Sequence, residues 1–345
     1  MGHLVNQSIF RLLFLAVAFS NSAQAEFVDQ FTNRNVQVAD SIQLLNSQMI
    51  SEINLSLDVA NHQGFKCNDK QESIANDSRD HLLTVLRNIM LENPIDHFAE
   101  TTKKVSKFQT PFKNSIFNDV YSPAWINHWA GKAIDTEPIL NVDGHQITTK
   151  KLARFVSDGF LLYQNQLKNQ YDNIEQTEKK SFEDAKKFMN STGVLSYAEH
   201  SAKLAGYRFW NDLCGASVKT GRCQPGKLIS CDNTTGKWTI GKAFNFNEYI
   251  DDSWDEAINC SMYAADFSLA MTKKIQKVTG DKHLPCPVDP VKCLELSTSK
   301  SKKYLSPICA EVADKLKKAL PAGLFTDYTF KPSVHDSAKT VESRK

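Results

Sequence analysis

Glycine and proline are scarce, 14 and 11 of 345 residues. That excludes collagen-like, low-complexity and loop-dominated small scaffolds and favours a helix-rich globule. Neither sign of charge is in excess: 41 Lys and Arg oppose 39 Asp and Glu, a net charge of +2. Steering of a polyanion is thereby excluded, and no nucleic-acid partner is expected. Beyond the N-terminus no apolar run reaches the roughly 18 residues that span a bilayer, so no transmembrane segment is expected in the mature chain. The sequence also lacks H-E-x-x-H, G-x-S-x-G, a P-loop, G-x-G-x-x-G and an EF-hand pattern. Nucleotide-dependent and standard zinc-protease readings lose their main support, and no cofactor is expected. What the chain does have is 41% hydrophobic and 10% aromatic residues, enough for a core and too many for wholesale disorder.

Arg11 followed by the apolar run 12–19 and by Ala23-Gln24-Ala25 has the three-part layout of a secretory signal. Residues 1–25 are read as a signal peptide cleaved before Glu26, which places the mature chain in the periplasm or outside the cell. No Cys stands at the cleavage site, so a lipid anchor is disfavoured. All eight cysteines, at 67, 214, 223, 231, 260, 286, 293 and 309, follow it. An even count behind an export signal reads as disulfides, and spacings of six residues or more leave no C-x-x-C pair for zinc. Seven lie after residue 210, so the C-terminal third is the stapled part, and Cys67 either reaches across the fold or stays free. The segments 214–231 and 286–293, rich in Gly and Pro, read as loops tied down covalently.

Apolar residues at three- and four-residue steps predict a helix over 38–60 and another from Ser78 to the Asn93-Pro94 stop. Asp143-Gly144 between short apolar runs predicts a hairpin. A long helix is expected from Thr148 or Thr149 to about 173, and a charged one over 176–191, broken by Gly193. Ser196-Tyr197-Ala198-Glu199 is a capping box that opens a helix to Leu213, whose small residues Ala198, Ala202 and Ala205 permit close approach by a neighbour. Ser253-Trp254-Asp255-Glu256 repeats the box and predicts a helix to about Val278; a last helix starts at Ser306-Pro307. The fold class is mainly α: an irregular helical globule with a small hairpin and a disulfide-bonded C-terminal region. Its parts are a helical body over 26–213, a stapled part over 214–330 packed on the same body, and a flexible tail over 331–345.

Glu199 and His200 place a carboxylate beside an imidazole, a pairing suited to acid–base catalysis. Adjacent helical residues point about 100° apart, however, and the capping box accounts for Glu199 without chemistry. Arg154, Asp158, Lys203 and Arg208 are candidate binding residues on the two long helices, and Asp255 and Glu256 join them from the acidic cluster with Asp251 and Asp252. That cluster lacks the Gly turn and alternating spacing of a calcium loop and equally suits a helix N-terminus. His128, between Trp125 and Trp129, and His145 could line a pocket or bind metal, but packed or surface histidines are commoner.

The run Gly193 to Glu199, continuing through Gly206-Tyr207-Arg208-Phe209-Trp210, resembles a segment of uncharacterised exported bacterial proteins that reads roughly G-x-x-S-x-A-D-x-x-A-N-x-x-G-x-x-F-W. Those proteins carry an upstream D-K-x-G-H-F-x-x-x-G helix and a downstream W-D-E-x-x-N segment. The counterparts are Lys150 to Phe155 with Gly159, and Trp254-Asp255-Glu256-Ala257-Ile258-Asn259, so the likeness covers about residues 144–262. The chain departs at the two most reactive positions, with Lys150 where the pattern has Asp and Arg154 where it has His. The resemblance implies an exported bacterial protein and supplies no activity. The leading functional reading is a binding or structural module of the bacterial envelope or exterior, with an unknown ligand or envelope component as partner. The alternative is a secreted or periplasmic hydrolase working through Glu199 and His200.

Overall fold

The structure, a computed structural model, describes residues 28–68, 81–91, 104–120, 136–169, 174–216, 223–281 and 285–319. The signal peptide and its cleavage point, the Asn93-Pro94 stop, His128 with its two tryptophans and the tail over 331–345 lie outside the described residues. Among the described residues are eight α-helices: α1 Ile42–His62, α2 His81–Leu91, α3 Thr149–Asn169, α4 Ile174–Thr192, α5 Tyr197–Leu213, α6 Ala265–Thr279, α7 Pro290–Leu296 and α8 Pro307–Ala319. None of them is long and apolar enough to cross a membrane. Eight short strands form four antiparallel pairs: β1 Ile139–Val142 with β2 His145–Thr148, β3 Val194–Leu195 with β8 Met262–Tyr263, β4 Cys214–Ala216 with β5 Cys223–Pro225, and β6 Ile229–Asp232 with β7 Lys237–Ile240.

Packing of α3 on α5 organises the core. The apolar stripe of α3 (Leu152, Phe155, Val156, Phe160, Tyr163) and the small face of α5 (Ala198, Ala202, Ala205) are fully or almost fully buried. With so little side chain between the helices, the aromatics collect at one end: the Phe155 ring lies 5.2 Å from Phe209, 5.6 Å from Phe246 and 5.7 Å from Trp254. The tilted and edge-on geometries suit the ring quadrupoles. At the other flank α1 buries Leu45, Met49, Ile53 and Leu57 in the same core.

Four disulfides staple the chain: Cys67–Cys231, Cys214–Cys223, Cys260–Cys286 and Cys293–Cys309. Cys67 does reach across the fold. Its bridge is backed by backbone pairing, since the Cys67 N–H donates to Gly236 O, and the Asn61 side chain brackets Trp238 N and O at 2.8 Å each.

Three local expectations are corrected. The Ser253 box opens no helix to Val278: Asp252–Trp254 is a single 3-10 turn, and helix α6 begins only at Ala265. Ser253 turns its hydroxyl to Asp251, and the Asp255 carboxylate accepts from the Ala257 N–H, a local turn that competes with helix. Side chains then go to different cores, Ala257 and Cys260 to one cluster and Ile258 to another. The segment 286–293 is tied down covalently, through Cys260 and Cys309, but is loop only as far as Asp289, which caps α7 through the Val291 N–H, with Pro290 in the first turn. The segment 214–231 is not loop alone: it holds the paired strands β4 and β5 and the start of β6, which pairs with β7 beyond it.

Candidate functional site

Two polar clusters form where α3, α5 and the 252–261 segment meet. The inner one centres on Lys151, whose side chain is wholly buried at the first turn of α3. Its Nζ donates to Gln30 Oε1 at 2.8 Å and stands 3.4 Å from Glu256 Oε1. Gln30 Oε1 also accepts the Glu256 N–H at 2.9 Å, and Gln30 Nε2 donates to Gln146 O at 2.7 Å. Glu256 takes two hydroxyl donors, Ser196 and Ser261, at 2.8 Å each. Ser196 is therefore a double agent: its Oγ accepts the Glu199 N–H at 3.0 Å as the α5 cap while donating to Glu256. Beside it Asn259 donates to Ser201 Oγ, Ser253 O and Tyr304 O and accepts the Ser306 N–H. A buried ionic group survives only when its lone pairs and protons are matched in this way.

The outer cluster is half-exposed. Arg154 Nη1 bonds Asp158 Oδ2 at 3.0 Å one turn along α3, and Arg154 Nε stands 3.5 Å from Glu199 Oε1 at the start of α5. Lys203, one turn beyond Glu199, is also half-exposed.

His200 turns away from Glu199. Its ring is 7% exposed, with Phe182 at 5.2 Å and Tyr304 edge-on at 6.5 Å. Burial, assisted by the Lys203 charge, lowers its pKa to about 3, so the ring is neutral at physiological pH. Arg208 buries its Nε without a hydrogen-bond partner among the described residues.

The acidic cluster is dispersed among different partners. Asp255 pairs with Arg34 Nη2 at 2.7 Å, and Asp251 accepts from Ser253 and Ser301. Asp252 bridges His145 Nδ1 at 2.8 Å and Lys292 Nζ at 2.9 Å. Burial is the largest single influence and works against charge on both His145 and Asp252, but their hydrogen bond and mutual attraction, joined by Asp251 beside the histidine and Lys292 beside the aspartate, together outweigh it, raising the histidine and lowering the aspartate. Among the described residues no group of three or more His, Cys, Asp or Glu side chains is arranged to hold a metal.

Of the predicted residues, Arg154, Asp158 and Glu199 come together, and Glu256 lies beneath them through Ser196; His200, Arg208 and Asp255 face elsewhere. Gln30, Arg34 and Ser261 carry much of the polar architecture and have no sequence signal, because their partners lie up to 226 residues away, and Lys151 is marked only by its place in the resembling stretch. The three stretches that carry the resemblance meet here, with Gly159 against Gly206, Trp254 against Phe155 and Asn259 on Ser201. Where chain and pattern agree at Lys151, Phe155, Trp254, Glu256 and Asn259 the side chains are buried; at the two reactive departures, Lys150 and Arg154, they are half-exposed, while Ala153, where the pattern has Gly, is buried. A separate apolar cleft of about 380 Å3 opens between α1 and α2, lined by Leu55, Val59, Phe65, Val85 and Ile89 among others. No protein-family model, curated protein or solved structure matches this chain.

Proposed function

We propose that this protein is an exported, mainly α-helical binding or structural module of the bacterial envelope or exterior, related to the exported proteins whose pattern it resembles. Its recognition surface is the half-exposed edge formed by Arg154, Asp158, Glu199 and Lys203. Four disulfides suit an oxidising compartment, periplasmic or extracellular. The observation that carries the reading is the divergence of Glu199 and His200. The carboxylate lies toward Arg154, whereas the imidazole is packed among aromatic rings with its basicity suppressed. A general base works best with a pKa near the operating pH, and a buried ring titrating near 3 is a poor one. The hydrolase alternative thus loses its dyad. A mixed-sign edge selects a partner that presents both charges, through recognition and on-rate more than through raw affinity.

A photoreactive residue in place of Lys203, in protein exported by its native host, tests the proposal. A discrete crosslinked adduct that disappears when Arg154→Ala is added is the expected result. Recovery of uncrosslinked chain alone would count against a binding role. Hydrolysis of an ester, peptide or glycan substrate, abolished by Glu199→Gln, would replace it with the enzymatic alternative.

A further inference from the structure

We propose that Lys151 and Gln30 become joined by an intramolecular isopeptide bond, with Glu256 carrying the protons. The reactants are placed for it. Lys151 and Gln30 are each 0% exposed and Glu256 5%, a setting in which lysine is rarely left and a simple ion pair contributes little stability. The amine nitrogen is 2.8 Å from Gln30 Oε1, and the carboxamide carbon is one carbonyl bond, about 1.2 Å, from that oxygen. The same oxygen accepts the Glu256 backbone N–H at 2.9 Å, so a fixed donor stands where negative charge develops when an amide is attacked. The Glu256 carboxylate, 3.4 Å from the amine, is held in position by Ser196 and Ser261. Gln30 Nε2, the departing nitrogen, is anchored on Gln146 O.

The chemistry balances without oxidant or cofactor. Glu256 takes one proton from the Lys151 ammonium. The neutral amine attacks Gln30 Cδ and forms the new C–N bond, leaving the oxyanion on Oε1. The Cδ–Nε2 bond then breaks as a second amine proton passes, through Glu256, to the leaving group, which departs as ammonia. The ion pair is replaced by a neutral amide and a neutral Glu256 carboxyl. Fixed placement supplies the rate that two such groups lack when free in water, and burial keeps competing water out. The bond ties the segment that holds Gln30 and Arg34 to the start of α3.

Intact-mass measurement and peptide mapping of the exported full chain, after disulfide reduction, test this directly. The expected wild-type mass is lower than the sequence mass by one ammonia, with a branched peptide joining Gln30 to Lys151. Lys151→Arg, which keeps the charge but lacks a primary amine, and Glu256→Gln are both expected at the unlinked mass. Linear wild-type peptides containing free Gln30 and Lys151 overturn the proposal, whatever the variants do. A branched peptide that persists in Glu256→Gln overturns the role of Glu256.

Discussion

Gly159 and Gly206 meet backbone to backbone where α3 crosses α5: a Cβ on Gly159 would stand 2.4 Å from Gly206 C, and one on Gly206 1.8 Å from Phe155 O. The absence of both side chains lets the helices close until Phe155 reaches Phe209 and Trp254.

Gly206→Ala should therefore destabilise severely. Overpacking commonly costs about 1–3 kcal/mol, and here the obstructing atoms are backbone, so about 3 kcal/mol or more is expected. Gly159→Ala should follow in the same direction. Urea unfolding by far-UV circular dichroism measures both; a change below about 1 kcal/mol would mean that the helices do not approach this closely.

Ser196→Ala removes a helix cap, typically about 1 kcal/mol, and also one donor to the buried Glu256 carboxylate, worth about 1–3 kcal/mol more. Glu199→Gln leaves both bonds of Ser196 in place and should change the melting temperature little, while Glu199→Ala should cost on the order of 1 kcal/mol. Thermal melts of the three variants should rank Ser196→Ala as the most damaging. Equal damage from Ser196→Ala and Glu199→Gln would contradict the double role of Ser196.

Local signals in the sequence are reliable where one segment decides the outcome. The Ser196 cap, the Asp143-Gly144 turn with both residues at positive φ, and the Gly193 break all stand where periodicity and turn chemistry put them. The second capping box misleads because its four residues have stronger partners elsewhere: Ser253 on Asp251, Trp254 on Phe155, Asp255 on Arg34 and Glu256 on Lys151. Tertiary contacts override a local cap worth about 1 kcal/mol. Lys151 stands in the sequence only as part of the stretch that carries the resemblance; its burial follows from Gln30 and Glu256, which only the fold brings to it. Glu199 and His200 look like a pair in the sequence and are separated by the 100° between successive helical side chains.

The His145–Asp252 bond should make stability depend on pH in a defined window. His145 has a raised pKa when folded, so its contribution is complete below the unfolded value of about 6.5 and disappears as pH rises through the folded value. Asp252 has a lowered pKa, and its contribution disappears as pH falls through that folded value. Asp251 supports the histidine charge and Lys292 opposes it. His145→Gln should therefore differ most from wild type between about pH 4 and 6.5 and converge with it toward pH 9. A stability difference independent of pH would contradict the ion pair.

The staples should differ in weight. Cys67–Cys231 spans 164 residues and Cys214–Cys223 only 9. On the chain-entropy relation their removal costs about 5 and about 2.5 kcal/mol respectively. Paired Cys→Ser variants compared by chemical denaturation test the order, and non-reducing peptide maps should recover the four linkages. Shuffled pairs, or a costlier loss of the short loop, would contradict this framework.

The state of His200 decides most directly between recognition and acid–base chemistry at the start of α5. Its ring signals can be followed by NMR through a pH titration and assigned with His200→Gln. A ring buried against Phe182 and Tyr304, with its pKa lowered to about 3, stays neutral and does not titrate between pH 5 and 8, while overall stability rises with pH from about 3 toward 6.5. Titration near or above pH 6.5, shifted by Glu199→Gln, would show the two residues working as a coupled pair and would contradict the binding-module reading.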